Sequence, residues 1–166
     1  ADARQLRDFA GRQAQVSRLR YGEPVGVEQL TKNITDHIQQ YTQVGGARPF
    51  GVALIVGGIE NGTPRLFETD PSGTPYEWRA LAVGEDRGEL NDYLEEHYAD
   101  DLTLEDGVEL GLAALASVND DSLDPEGVGV ATIDAETEQY VGLTDDKIER
   151  HLTDHDLLAS DENDDE

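Results

Sequence analysis

Apolar residues in this chain repeat at helical spacing, then at strand spacing, then at helical spacing again. That double switch of period limits the folds open to it. Val27, Leu30, Ile34, Ile38 and Tyr41 fall at offsets 0, 3, 7, 11 and 14, one stripe of an amphipathic helix. Gly26 is an acceptable cap for it, and Gly45-Gly46 ends it. An earlier helix runs from about Asp2 to Leu19, with Ala3, Leu6, Phe9, Ala10, Val16 and Leu19 on one side. Tyr21-Gly22-Glu23-Pro24 breaks it, so the spacing predicts an antiparallel helical hairpin. Phe50–Val56 then reads as a strand, small and apolar on both faces and hence expected inside a layered structure. Asn61-Gly62 makes a turn, Arg65–Thr69 a second strand, and Asp70-Pro71-Ser72-Gly73 a type I turn by composition. The alternation over Tyr76–Val83 predicts a third strand.

Helices return after Gly84. Leu90, Tyr93, Leu94 and His97 form one stripe, in which His97 is expected to be a half-buried packing residue. Thr103 through Asp106 is a capping-box-like start for a helix striped by Leu104, Val108, Leu112, Leu115 and Val118. An acidic loop, Asn119–Gly127, leads to a hairpin of Val128–Ile133 and Tyr140–Leu143. Thr144 caps a last helix through Leu152. Two helices, three strands, two helices, two strands and a helix make a layered α+β domain, helices outside and sheets within.

Charge is distributed unevenly along the 166 residues. Residues 1–83 hold nine basic and nine acidic groups and sum to zero, whereas residues 84–166 hold three basic and 28 acidic groups and carry the whole −25. Such a field strains a compact state at low salt. At molar salt the screening length falls to about 3 Å and most of the repulsion disappears. Two Lys against ten Arg, with 20 Asp, is the composition expected in a salt-saturated cytoplasm. The same field repels polyanions, so nucleic-acid binding is disfavoured. A protein that coats its wet faces with carboxylates should spare the surface it buries against a partner. The neutral first half is therefore the better candidate for a subunit contact.

Local chemistry is sparse. The chain has no Cys, which excludes disulfides, thiolate zinc sites and thiol nucleophiles. No apolar run approaches the roughly 18 residues of a spanning helix, so a membrane protein is not expected. There is no nucleophile elbow, phosphate-binding loop, zinc-protease pair or EF-hand loop. His151 and His155 stand at i, i+4, the spacing of two metal ligands on one helix face, but no third ligand follows at useful spacing and a solvated pair is expected. No cofactor or metal is implied. Nothing supports export, so the default setting is cytoplasmic. The chain opens Ala1-Asp2-Ala3-Arg4 on a helix already under way, which reads as a piece of a longer chain.

Two motifs at fixed separation carry a resemblance. Gln39-Gln-Tyr-Thr-Gln-Val-Gly-Gly-Ala-Arg-Pro-Phe-Gly-Val52, followed by Pro64-Arg-Leu-Phe-Glu-Thr-Asp-Pro-Ser-Gly73, closely resembles the α subunits of the archaeal 20S proteasome, here of a haloarchaeal type. Ala1–Arg4 and Tyr21–Pro24 match in register, and the likeness extends to about Leu152. The resemblance implies the four-layer αββα sandwich of the N-terminal nucleophile hydrolases, incomplete here because the family's first strands lie upstream of Ala1. Residues 1–152 then correspond to the C-terminal two-thirds of one proteasome-type domain, and 153–166 to an acidic, disordered tail.

The family resemblance implies a non-catalytic subunit of a heptameric α ring. Its expected partners are other α subunits, proteasome β subunits and the proteasome-activating ATPase, in cytoplasmic protein degradation. The family's gate segment and its ATPase-docking lysine lie upstream of Ala1 and match no residue here. The first two helices resemble the layer that faces the β ring, which makes Arg12, Gln13, Gln39, Gln40 and Tyr41 the expected interface residues. The alternative is a catalytic, β-like threonine peptidase. A Thr freed by processing would favour it, and this chain opens on Ala1.

Overall fold

A computed structural model describes residues 2–21, 25–43, 53–70 and 72–159, the side chains of 2–3, 16–21 and 41–43 excepted. The expected Phe50–Val52 and the turn's Pro71 lie outside the described residues, as does 160–166. The chain divides into two compact units, Ala1–Arg79 and Ala80–Glu166. That division falls at the charge boundary, since residues 80–83 carry no charged group.

In the first unit, α1 (Asp2–Tyr21) and α2 (Val27–Gln43) pack together, and α2 lies on an antiparallel sheet of β1 (Leu54–Glu60), β2 (Thr63–Thr69) and β3 (Pro75–Glu77) in that order. Of the stripe expected on α2, Val27, Ile34 and Ile38 are buried and Leu30 is half-buried. Ile34 and Ile38 close on Leu6 of α1, with Phe9, Ala10 and Leu30 at the margin and Leu54 and Val56 of β1 beneath. Thr31 is buried as well because its hydroxyl donates back to the Val27 carbonyl at 2.7 Å, which leaves no buried donor unmet. Asn61 and Gly62 both take positive φ, 51° and 75°, the pair of left-handed residues that a two-residue hairpin turn requires.

Three expectations for this unit need correction. β1 runs to Glu60 and is not apolar-buried on both faces: Leu54 and Val56 turn toward α2, while Ile55 between them is 46% exposed. At the start of β1 burial therefore alternates, although on β2 Phe67, Glu68 and Thr69 are buried in succession. The third strand stops at Glu77 instead of Val83. The Trp78 N–H still donates to the Leu66 carbonyl at 2.9 Å, but the Ala82 N–H is taken by Asn91 Oδ1 at 2.7 Å, a side chain in place of a ladder. Because β2 residues opposite Tyr76 and Trp78 are Glu68 and Leu66, the sheet face away from α2 holds Ile55, Leu66, Tyr76 and Trp78 around a buried Glu68.

The second unit contains α3 (Arg87–His97), α4 (Leu104–Ser117), a 3-10 turn at Pro125–Gly127, the hairpin β4 (Ala131–Ile133) and β5 (Tyr140–Gly142), and α5 (Asp145–Asp154). Its core is Leu112, Ala116, Leu123, Ile148 and Leu152, flanked by Val108, Val128, Val130, Leu143 and Leu157. The capping box forms as expected: Thr103 Oγ1 accepts the Asp106 N–H at 3.1 Å and Asp106 Oδ2 accepts the Thr103 N–H at 2.9 Å. The stripe on α4 is displaced, however. Leu104 and Leu115 are 47% and 42% exposed, and Val108, Leu112 and Ala116 at strict i+4 spacing carry the packing. Small Ala116 is buried in the same core as Ile148 and Leu152 of α5.

Further differences lie nearer the termini of these helices. Thr144 stands at the start of α5 but makes no side-chain capping bond. His97 is exposed and stacks on Tyr93 with its Nδ1 2.9 Å from the Tyr93 carbonyl oxygen, so it caps its own helix end instead of filling a core. His155, expected to be solvated, places Nδ1 3.0 Å from Glu109 Oε1 and joins the end of α5 to α4. Residues 153–159, expected in the tail, complete α5 and then pair with Leu123: the Leu123 N–H donates to the Leu157 carbonyl at 2.7 Å and the Ala159 N–H to the Leu123 carbonyl at 3.0 Å. Leu157 packs on the core there, an apolar anchor that the surrounding Asp residues hide in the sequence.

Candidate subunit interface

The residues singled out for a subunit contact lie on α1 and α2, and the structure divides them. Phe9 and His37 stack with ring centroids 4.0 Å apart and planes 9° from parallel. Burial, helped by the nearby Arg12 guanidinium, holds the His37 imidazole below its ordinary pKa and so favours the neutral ring. Exposed Arg12 thus sits close to His37, and half-buried Gln13 follows Phe9 at i+4 on the same side of α1. Gln40 is exposed and follows His37 at i+3, which puts it on the seam side of α2. Tyr41 belongs to α2, but its side chain lies outside the described residues. Gln39 stands apart from that group, on the flank of α2 that meets the turn after β2.

That turn is tightly made. Asp70 Oδ1 accepts the Ser72 N–H at 2.9 Å, the Ser72 hydroxyl at 2.6 Å and the Thr74 N–H at 2.9 Å, while the Gly73 N–H donates to the Asp70 carbonyl at 2.9 Å. The Ser72 bond foremost, then those of the backbone, hold the Asp70 carboxyl below its usual range. Gly73 takes φ +83° and is buried against α2. A Cβ there would lie 3.0 Å from the Thr35 carbonyl oxygen, 3.1 Å from Gln39 Cγ and 3.2 Å from Ile38 Cγ2. The two motifs that carry the family resemblance are therefore in contact through Gly73 and Gln39.

The other end of α2 is held by charge. Arg65 of β2 pairs with Glu60 of β1 at 2.8 Å, with Glu28 of α2 at 3.5 Å and with Glu77 of β3, and its guanidinium lies 5.1 Å from the Phe67 ring centroid. One fork of donors thus ties all three strands to the first turn of the helix, a geometry that Lys does not offer. This end also closes tightly: a Cβ on Gly58 would meet Val27 Cγ2 at 2.7 Å, and one on Gly26 would displace the Glu60 carboxylate.

Sequence reasoning passed over His37, Arg65 and Gly73. Gly73 was legible only as a turn former, because its contact with α2 spans more than thirty residues of chain. Arg65 looks like any surface cation until its three carboxylates are brought together. Among the described residues, no group of three or more His, Cys, Asp or Glu is arranged to hold a metal ion, and no helix is long and apolar enough to cross a membrane.

The chain belongs to the proteasome subunit family, whose profile matches residues 1–133. Its relatives include α subunits of halophilic archaea. It is 72% identical to proteasome subunit alpha 1 of Haloarcula marismortui over all 166 residues of this chain and 64% of that protein. It is 65% identical to proteasome subunit alpha 1 of Haloferax volcanii over 98% of this chain and 64% of that protein. Against the proteasome subunit alpha of Natronomonas pharaonis the identity is 66%, covering this chain entirely and 66% of the relative. The chain therefore spans about 64% of the length of the first two of these relatives.

Proposed function

We propose that the protein is a non-catalytic α-ring subunit of a 20S proteasome, part of the outer ring that admits substrate to a β ring and receives the regulatory ATPase. The observation that carries this reading is the unbroken match to α subunits along the whole chain. The charge pattern supports it independently. A neutral first unit that bears Arg12, Gln13, Gln39, Gln40 and Tyr41 suits burial against a neighbouring ring, and a second unit with 28 acidic groups suits contact with brine.

The four-layer sandwich belongs to the same proposal. The sheet face turned away from α2 leaves Ile55, Tyr76 and Trp78 between 43% and 47% exposed, the kind of surface that a second sheet would cover. The cytoplasm is the proposed location. The test is co-expression of the complete gene with its β partner in molar salt, followed by sizing and a peptidase assay. A large assembly whose peptidase activity requires β is expected. Peptidase activity from the α chain alone would overturn the reading in favour of a nucleophile of its own.

A further inference from the structure

We propose that the Asp70–Thr74 turn is the seat of the C-terminal half of α2, and that Gly73 is a positioning residue for the contact made by Gln39 and Gln40. The inference rests on the ring contact proposed above and names what sets its geometry.

The two halves of α2 are held differently. The first half is fixed by the Arg65 fork through Glu28 and by Val27 against Gly58. The second half has the turn beneath it. A Cβ added at Gly73 would crowd Thr35, Ile38 and Gln39 at once: a backbone carbonyl, a core side chain and the side chain of an exposed candidate interface residue. Two of its properties are needed together. The φ of +83° disfavours any L side chain, and a Cβ there would stand 3.0 Å from a backbone oxygen, so that the helix would have to shift by a few tenths of an ångström. Asp70 makes the seat rigid, because its carboxylate gathers the donors of Ser72 and Thr74 on either side of Gly73. A packed interior transmits such a shift instead of absorbing it. The exposed ends of Gln39 and Gln40 move with the helix, while every residue at the outer surface keeps its identity.

The experiment uses the full-length α subunit co-expressed with β in molar KCl, as wild type and as Gly73→Ala, Asp70→Asn, Gln39→Ala and Gln40→Ala. Assembly is measured by sizing across a dilution series, and amide exchange is followed separately in residues 27–34 and 38–43 of the free subunit. Asp70→Asn keeps the backbone of the turn and so reports even if Gly73→Ala fails to fold. Both turn variants are expected to weaken assembly by about tenfold, the effect of a single substitution of ordinary size. They should also speed exchange in residues 38–43 while leaving 27–34 unchanged. Unaltered assembly in both turn variants, with the glutamine variants impaired, overturns the positioning role alone. Faster exchange along the whole of α2 overturns it as well, since that is the mark of general loosening. Glutamine variants that assemble like wild type remove the contact itself and this inference with it.

Discussion

Leu152 and Ile38 are fully buried, one in each core, and each can be tested by truncation. Leu152→Ala or Ile38→Ala should lower stability by about 2–5 kcal/mol, read as a shift of the urea midpoint in molar salt. Thr103→Ala removes one arm of the capping box and should lower stability by about 1 kcal/mol in the same assay. The carboxylates of Asp70, Asp106 and Asp134 are all held below their ordinary range by hydrogen bonds from neighbouring hydroxyls and backbone N–H groups. Their folded-state pKa values lie under the unfolded ones, so this stability is complete above the ordinary carboxylate range and is lost as pH falls through the lowered values. His37 acts in the same direction at higher pH. Its depressed folded value means that stability at the helix seam begins to fall once pH drops below the unfolded imidazole value of 6.5. An acid titration should therefore show two losses, and His37→Gln should abolish the upper one.

At the scale of the element, the amphipathic helices were legible because their stripes face one partner. Val27, Ile34 and Ile38 are buried where the spacing put them. Strand ends were less legible, because a strand continues only where another backbone offers its hydrogen bonds. Tyr76–Val83 alternates well enough, yet Ala82 pairs with Asn91 and the ladder ends at Glu77. The stripe of α4 was misplaced because Leu104 and Leu115 outweigh Ala116 in hydropathy, yet it is Ala116 that is buried in the core. For the candidate interface residues, the sequence indicated the helices and could not indicate the seam, since the approach of Arg12 to His37 depends on how two helices pack. The Arg65 fork is the element-scale device to test. Arg65→Lys keeps the charge but cannot reach Glu28, Glu60 and Glu77 in one plane, so its melting temperature should fall below wild type, and Arg65→Ala lower still. Equal melting temperatures for wild type and Arg65→Lys would show that the fork adds nothing beyond charge.

For the whole molecule, the partition of charge and the partition into compact units coincide at residues 79–80. Screening should therefore act mainly on the second unit. Raising KCl from roughly 0.1 to 1 M shortens the screening length from about 10 to 3 Å, and the melting temperature should rise with it. Amide exchange at Leu112 and Ile148 should slow more than at Ile34. The proposed assembly needs the neutral helices hidden and the acidic ones wet, and one measurement reads both: residue-resolved solvent protection of the complete α subunit, free and assembled with β in molar KCl. New protection across Arg12–Tyr41, with residues 104–117 and 145–154 as accessible as before, is the result this account predicts. Protection gained on those acidic helices, with Arg12–Tyr41 left open to solvent, would contradict it.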